Sequence, residues 1–332
     1  SGAFGAAVLV RRRRDGRRLV AKKCSIGEFD EKRRAMCLEE IALLQKVRHP
    51  CVAEIVEFLW AARDQLSYWI VLKYYPGGEV QNEIDRCREN GLRFADGKVL
   101  NWTAQLCEAL EHVHRLHIVH RDVKGSNMFI TGADNVVLGD FGVSKQLVEP
   151  DGKAMTSVGS PVFMAPEWWD GRGGTAASDM WSVGVVVYEL LTLHRPFEAG
   201  NVLSLVVKIT SDEPEELPED CDEKLRQLVK GLLSKQPQER PSATEVLRHP
   251  GLKWCVETLR IYRGKLEDMS DKRLFEAAVA EDEAAGLECG EESSESEEEE
   301  PCGGINLVHA VSQLAERTRE QEDAEEDEEE GE

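Results

Sequence analysis

The 332-residue chain has nine cysteines and no C-x-x-C pair among them. Paired zinc-ligand spacing is absent, and an odd count leaves at least one thiol outside any set of internal disulfides. Cys24, Cys37, Cys51, Cys87, Cys107, Cys221, Cys255, Cys289 and Cys302 read as reduced intracellular thiols in or near a core. Long hydrophobic runs are also missing. Stretches such as Val183 to Leu193, broken by Tyr188 and Glu189, are too short to cross a bilayer. No signal peptide is visible, and a chain that opens on Ser1 rather than Met reads as a fragment. With 12 prolines and 27 glycines, collagen-like and Pro/Gly-rich low-complexity chains are excluded. There are no internal repeats.

What is present is a folded body and a charged tail. Hydrophobic residues make up 41% of the chain, enough for a real core. Against 41 Lys plus Arg stand 63 Asp plus Glu, a formal net charge of −22. From Lys265 onward there are 26 acidic and 5 basic residues, which leaves 37 acidic and 36 basic in residues 1–264. The acidity therefore belongs to the tail. Glu291 to Glu300 is Ser/Glu low complexity and Glu322 to Glu330 is almost wholly acidic. Such blocks repel themselves and bury too little surface to offset chain entropy, so the tail is expected to be mostly disordered.

Residues 6–23 are predicted to form a hairpin, with Arg11 to Gly16 as its charged turn. Residues 28–48 carry Met36, Leu43, Leu44 and Val47 at helical spacing and stop before Pro50. Trp69 to Leu72 reads as a short strand ended by Pro76-Gly77-Gly78. Helices are predicted over Val99 to Leu116, Ser178 to Leu193, Lys224 to Leu233 and Ser242 to Leu247; the second is too apolar for a surface helix. Strands first and helices later suggest a sheet-rich small lobe followed by a helical large one.

Four groups of residues suggest chemistry. Ser1-Gly2-Ala3-Phe4-Gly5 is small enough to let backbone N–H groups approach phosphate oxygens, although an ordinary glycine turn looks the same. Val20-Ala21-Lys22-Lys23 ends a strand. Lys23 is expected to bring one positive charge to a nucleotide, held by Glu40, while strand alternation turns Lys22 to the other face. His120-Arg121-Asp122-Val123-Lys124-Gly125-Ser126-Asn127 packs a carboxylate, two cations and an amide into one loop. Asp122 can receive the proton of an attacking hydroxyl, Lys124 can neutralise a phosphoryl group and Asn127 can ligate a metal. Asp140-Phe141-Gly142 follows the apolar strand Val136 to Leu138, where a carboxylate suits phosphate-bound Mg²⁺.

Taken in order over roughly residues 1–255, and with Ala165-Pro166-Glu167, these motifs resemble a eukaryotic protein kinase. The resemblance implies an α+β, bilobal fold: a β-rich N-lobe over 1–75, entered inside the glycine-rich loop, a mainly α-helical C-lobe over 76–255, and an acidic tail over 256–332. It implies ATP and Mg²⁺ as cofactors. Gly2 and Gly5 would cover the phosphates; Ala21, Lys23, Leu72, Lys73 and Tyr75 would line the nucleotide pocket, with Leu72 as gatekeeper and Lys73 to Tyr75 as hinge. Lys23 would be held by Glu40, Asp122 would be the catalytic base, Lys124 the γ-phosphate contact, and Asn127 and Asp140 the metal ligands. Lys73 departs from the glutamate usual at the start of the hinge. Leu44, Ile55, His120 and Phe141 match a stacked core spine, Glu167 would pair with Arg240, and Asp179 would brace the catalytic loop.

Lys124 and Ser160 resemble the serine/threonine type. The stretches 74–79, 140–145 and 156–167 are similar to the NIMA-related (NEK) family and shared in part with the Ste20-like branch; Gly125 and Ala165 depart from the NEK pattern. The implied activity is ATP-dependent transfer of a γ-phosphoryl group to protein Ser/Thr hydroxyls by a non-specific serine/threonine protein kinase. A pseudokinase scaffold is the rival, opposed by the full set Lys23, Glu40, Asp122, Asn127 and Asp140. The implied setting is cytoplasmic, at the cytoskeleton, centrosome or basal body, in cell-cycle or cilium work. The expected partners are protein substrates and a basic or cytoskeletal partner for the tail, with no nucleic acid and no membrane. The run Arg11 to Arg14 with Arg17 and Arg18 reads as a solvated turn, and His112, His114, His117 and His120 as a kinase-like stretch rather than zinc ligands. In the tail, Ile305, Leu307, Val308, Val311 and Leu314 can line one face of a short helix over 305–319.

Arg121 precedes the catalytic aspartate and is expected to bind a phosphate on the activation segment. Thr156 is the main candidate, with Ser160 reading instead as a substrate-platform hydroxyl. Thr156→Ala is therefore expected to lower activity. Mass spectrometry of fully active enzyme should find Thr156 modified; active enzyme bare at that site contradicts the assignment.

Overall fold

The computed structural model describes residues 7–25, 44, 47–60, 67–140 and 161–259. Gly2, Gly5, Glu40, Phe141, Thr156, Ser160 and the tail from residue 260, including the 305–319 segment, lie outside the described residues.

β1 (Ala7–Arg11) and β2 (Arg18–Ser25) form the expected hairpin. Its turn closes through an Arg12 backbone N–H to the Arg17 carbonyl at 2.8 Å. Arg12 also grips Asp15 with two of its guanidinium nitrogens, Nε and Nη2. Gly16 sits at φ +75°, a conformation that side chains with a Cβ resist. β3 (Ile55–Trp60) and β4 (Ser67–Lys73) complete an antiparallel sheet in the order β1-β2-β4-β3. In this register Val20 stands opposite Leu72 and Lys22 opposite Ile70.

The large lobe is helical: α1 (Val80–Glu89), α2 (Asp96–Arg115), α3 (Ala176–Thr192), α4 (Val202–Ser211), α5 (Glu223–Leu232) and α6 (Ala243–Leu247). α2 and α3 are the central pair. α3 opens with a capping box in which Thr175 and Ser178 satisfy each other's backbone N–H groups. It is buried almost all round, as its unbroken apolar sequence requires. Between α2 and α3, a short hairpin of β5 (Met128–Ile130) and β6 (Val136–Leu138) is fastened to α2. Gln105 donates to the Asn135 side chain at 2.8 Å and accepts the Val136 N–H at 2.6 Å. Val52 bridges to Leu138, so the hairpin also touches the segment leading into β3. One apolar cluster runs from Cys24, Leu44 and Tyr68 of the small lobe into α2, α3 and α5.

β3, α1 and α4 carry no strong sequence signal. α1 and α4 bury only three and two residues respectively, so most of their positions are polar or exposed. The folded body also runs past residue 255: Val256 and Leu259 are buried in the core, in a helical segment over 253–259, beyond the 256 boundary that the kinase resemblance implied.

The large lobe is locked by one buried ion pair. Arg240 donates to both carboxylate oxygens of Glu167 at 2.7 Å, and Ser178 adds a third bond at 2.8 Å. Arg240 also bonds the carbonyls of Ser234 and Ala177 and stacks over Trp181. Burial alone would push the Glu167 carboxyl up, but these donors outweigh it and hold it below its ordinary range. Arg240→Ala strands a buried carboxylate and should cost about 3–5 kcal/mol. Calorimetry should show a melting temperature lower by at least about 6 °C at neutral pH. The wild-type contribution is full above the unfolded-state glutamate pKa of about 4.3 and is lost as pH falls through the lower folded value, so the gap between the two proteins should close in acid.

Candidate functional site

The site lies where the end of β2, the loop before β5 and the end of β6 converge. The loop His117 to Asn127 follows α2 and is held from below by Asp179, itself 1% exposed, on α3. Asp179 accepts the backbone N–H groups of His120 and Arg121 at 2.8 Å each, and lies 2.9 Å from His114 Nε2. This grip matters because Arg121 is in the left-handed region, at φ +67°. His120 is fully buried. Its Nε2 meets the Gly139 carbonyl at 2.9 Å, so Nε2 carries the hydrogen and Nδ1 accepts the Asp122 N–H at 3.3 Å. Burial lowers the His120 pKa, consistent with that neutral ring.

Asp122, Lys124 and Asn127 come together as expected. Asn127 Nδ2 donates to the Asp122 carbonyl at 2.7 Å and to its Oδ2 at 2.9 Å, and Lys124 Nζ is 3.0 Å from the same Oδ2. The amide nitrogen is thus committed inward, which leaves the Asn127 oxygen as its acceptor face. The Asn127 carbonyl accepts the Gly139 N–H at 2.9 Å, tying this loop to the end of β6. Gly139 has no alternative here, since a Cβ would meet Phe129 at 2.7 Å. The next residue, Asp140, is also left-handed, at φ +57°.

Asp140 is paired, but not with Lys23. Lys22 Nζ lies 2.7 Å from Asp140 Oδ1, while Lys23 is exposed on the opposite face of β2. The expectation for Lys23 is therefore corrected by one residue, and Ala21 moves with it. Ala21 is buried on the Leu19 face, whereas Val20 shares the face of Lys22 and stands opposite Leu72. Alternation fixes this jointly: the lysine two residues from Val20 looks into the cleft, and its neighbour cannot.

Leu72 and Lys73 close β4 and Tyr75 lies just beyond it. The Lys73 N–H is used by the Glu54 carbonyl at 3.0 Å, and Tyr75 Oη accepts the Glu54 N–H at 3.0 Å. Lys73 Nζ lies over the Tyr75 ring, 5.9 Å from its centre. A further group, which the motifs did not single out, is Glu79. Burial and then the Asp140 carboxylate push its pKa up, against Lys124. Its position directly after Gly77-Gly78 was the available signal. Asp122 and Asp140 are each paired with a lysine here, Lys124 and Lys22, and Glu79 lies near enough to Asp140 to feel its charge. No group of three or more His, Cys, Asp or Glu residues that could hold a metal ion occurs among the described residues, and none of their helices is long and apolar enough to cross a membrane.

Residues 1–252 match the protein kinase domain family. Among similar proteins, the mouse serine/threonine-protein kinase Nek1 is 37% identical over 246 residues, covering 74% of this chain and 20% of that protein. The rice serine/threonine-protein kinase Nek3 is 36% identical over 262 residues, covering 78% of this chain and 44% of that protein. Mouse Nek4 is 32% identical over 252 residues, covering 76% and 31%. The chain thus spans less than half the length of these relatives. A β-sheet lobe over a helical lobe, the braced loop at Asp122 and the pairing at Asp140 agree with those likenesses: the chain belongs to the protein kinase family, as a NEK-like domain of the serine/threonine type.

Proposed function

We propose that this domain transfers the γ-phosphoryl group of ATP to the hydroxyl of a protein serine or threonine. The observation that carries the reading is the placement of Asp140, held by Lys22, against the loop that holds Asp122, Lys124 and Asn127. Asp122 orients the acceptor hydroxyl and takes its proton as the oxygen attacks phosphorus and the bond to the ADP oxygen breaks. Lys124 and Asn127 hold the Asp122 carboxylate in place, and Lys124 also neutralises the moving phosphoryl group. Lys22, in the role expected of Lys23, carries positive charge to the α and β phosphates, and Glu40 holds it when the nucleotide draws it from Asp140. The Asn127 amide oxygen and the Asp140 carboxylate are hard oxygen donors of the kind Mg²⁺ takes, alongside phosphate oxygens. When bound, that ion neutralises the phosphates and fixes their geometry. Gly2 and Gly5 cover the phosphates; Val20, Leu72 and the Lys73 to Tyr75 backbone receive the adenine. Arg121, ordered by Asp179, receives the phosphate of Thr156, and Ser160 serves the acceptor platform.

In this reading the protein works in the cytoplasm at the cytoskeleton, centrosome or basal body, in cell-cycle or cilium work, a setting that the NEK likeness supports. It rests on family analogy rather than on geometry. The acidic tail in the same reading takes a basic partner.

Two lysine variants test the reading. Lys22→Met should lower kcat/KM for phosphate transfer about 10²–10⁴-fold, and Lys23→Met should leave it within about twofold. The reverse ranking removes the assignment of Lys22. Asp140→Asn should abolish Mg²⁺-dependent turnover without changing the melting temperature by more than about 2 °C. Full turnover in that variant removes Asp140 as a metal ligand.

A further inference from the structure

The β1–β2 turn holds six arginines, Arg11, Arg12, Arg13, Arg14, Arg17 and Arg18, with Asp15 as its one carboxylate. Nothing in phosphoryl transfer uses them. Three of the six share that single carboxylate: Arg12 bonds it directly, and Arg14 and Arg17 lie 3.8 Å from it. Arg18 is fixed differently, with its guanidinium 5.0 Å from the centre of the Tyr74 ring. The base of the turn is thus organised by specific pairs, while Arg11, Arg13 and Arg14 project into solvent. A preorganised cationic surface binds an anion with less ordering cost than a mobile one.

The charge balance of the body makes the turn singular. In residues 1–264, outside 11–18, there are 30 basic and 36 acidic residues, so the rest of the body repels an acidic segment. The chain carries such a segment itself: Glu322 to Glu330 has eight acidic residues in nine positions. The 62 residues between Leu259 and Glu322 span up to about 200 Å when extended. A body of about 250 residues has a radius of gyration near 18 Å, so the segment reaches any point on its surface.

We propose that the arginine turn Arg11–Arg18 is the docking site of the acidic block Glu322–Glu330 of the same chain. The contact is electrostatic and bidentate in kind, guanidinium forks on carboxylates. Being intramolecular, it works at a high effective concentration, so individually weak surface pairs add up. It identifies the basic partner of the tail as the kinase lobe that bears it, and does not depend on catalysis.

The test uses the full chain with Arg13→Lys, a charge-preserving change at an exposed position that supplies an amine. A zero-length carbodiimide couples amines to touching carboxylates, and peptide mapping locates the link. The expected result is a link from position 13 to residues 322–330. Its yield should be independent of protein concentration and should fall at least about tenfold between 0.05 M and 1 M salt, where the screening length shrinks to about 3 Å. Adding Arg11→Glu and Arg14→Glu should remove the link while leaving the melting temperature within about 2 °C, as expected of surface changes. A map without that link, while other Lys–carboxylate links form, overturns the proposal. So does a link found only between isotopically distinct chains, which makes the occupant a second copy. A turn that shifts an oligonucleotide in a gel and yields no link to the tail is a nucleic-acid site, and the proposal is then wrong.

Discussion

The loop that carries Asp122 depends on a single buried carboxylate. Asp179 reaches up from α3 and accepts two successive backbone N–H groups, with the His114 ring beside it. A left-handed residue such as Arg121 costs on the order of 1–3 kcal/mol. Hydrogen bonds to a charged acceptor contribute about 1.5–3 kcal/mol each, so this grip outweighs the strain it imposes. α3 can supply such a post because it is buried nearly throughout and capped at both ends. The Glu167–Arg240 pair fixes the α3 N-terminus through Ser178 and Ala177. The precision of the site is thus inherited from the most apolar element of the chain.

Much of this was legible beforehand. The loop His120 to Asn127 and the aspartate at 140 are compact motifs whose chemistry is written in their order, and the structure brings them together. The scaffold pairs Asp179 with the loop and Glu167 with Arg240 were also expected, as what the kinase resemblance implies, and both are formed. The lysine was misplaced by one residue for a physical reason. In Val20-Ala21-Lys22-Lys23 two identical side chains stand side by side, and only the face of the sheet, set by pairing with β4, distinguishes them. The weakly signalled elements failed for another reason. α1 and α4 bury so few residues that tertiary packing, not periodicity, decides them. Glu79 is significant only through Asp140 and Lys124, which are remote in sequence.

Two electrostatic regimes coexist in the molecule. In the cleft, carboxylates and amines are close, partly buried and few, so each pairing is specific and geometric. On the β1–β2 turn, charges of one sign are massed and solvent-facing, and the tail sequence masses the opposite sign, so recognition there is by density and is sensitive to salt. The first regime resists ionic strength and the second responds to it, which separates positioning of reacting groups from any regulation by the tail.

The amine of Lys73 sits over Tyr75, at the edge of the nucleotide pocket in the proposed reading, where resembling kinases usually have a glutamate. That inverts the sign of the field an adenine-directed compound meets on leaving the pocket. In that reading a ligand with an anionic group at the rim meets an attractive charge here, so selectivity for this domain starts at the rim rather than in the pocket itself.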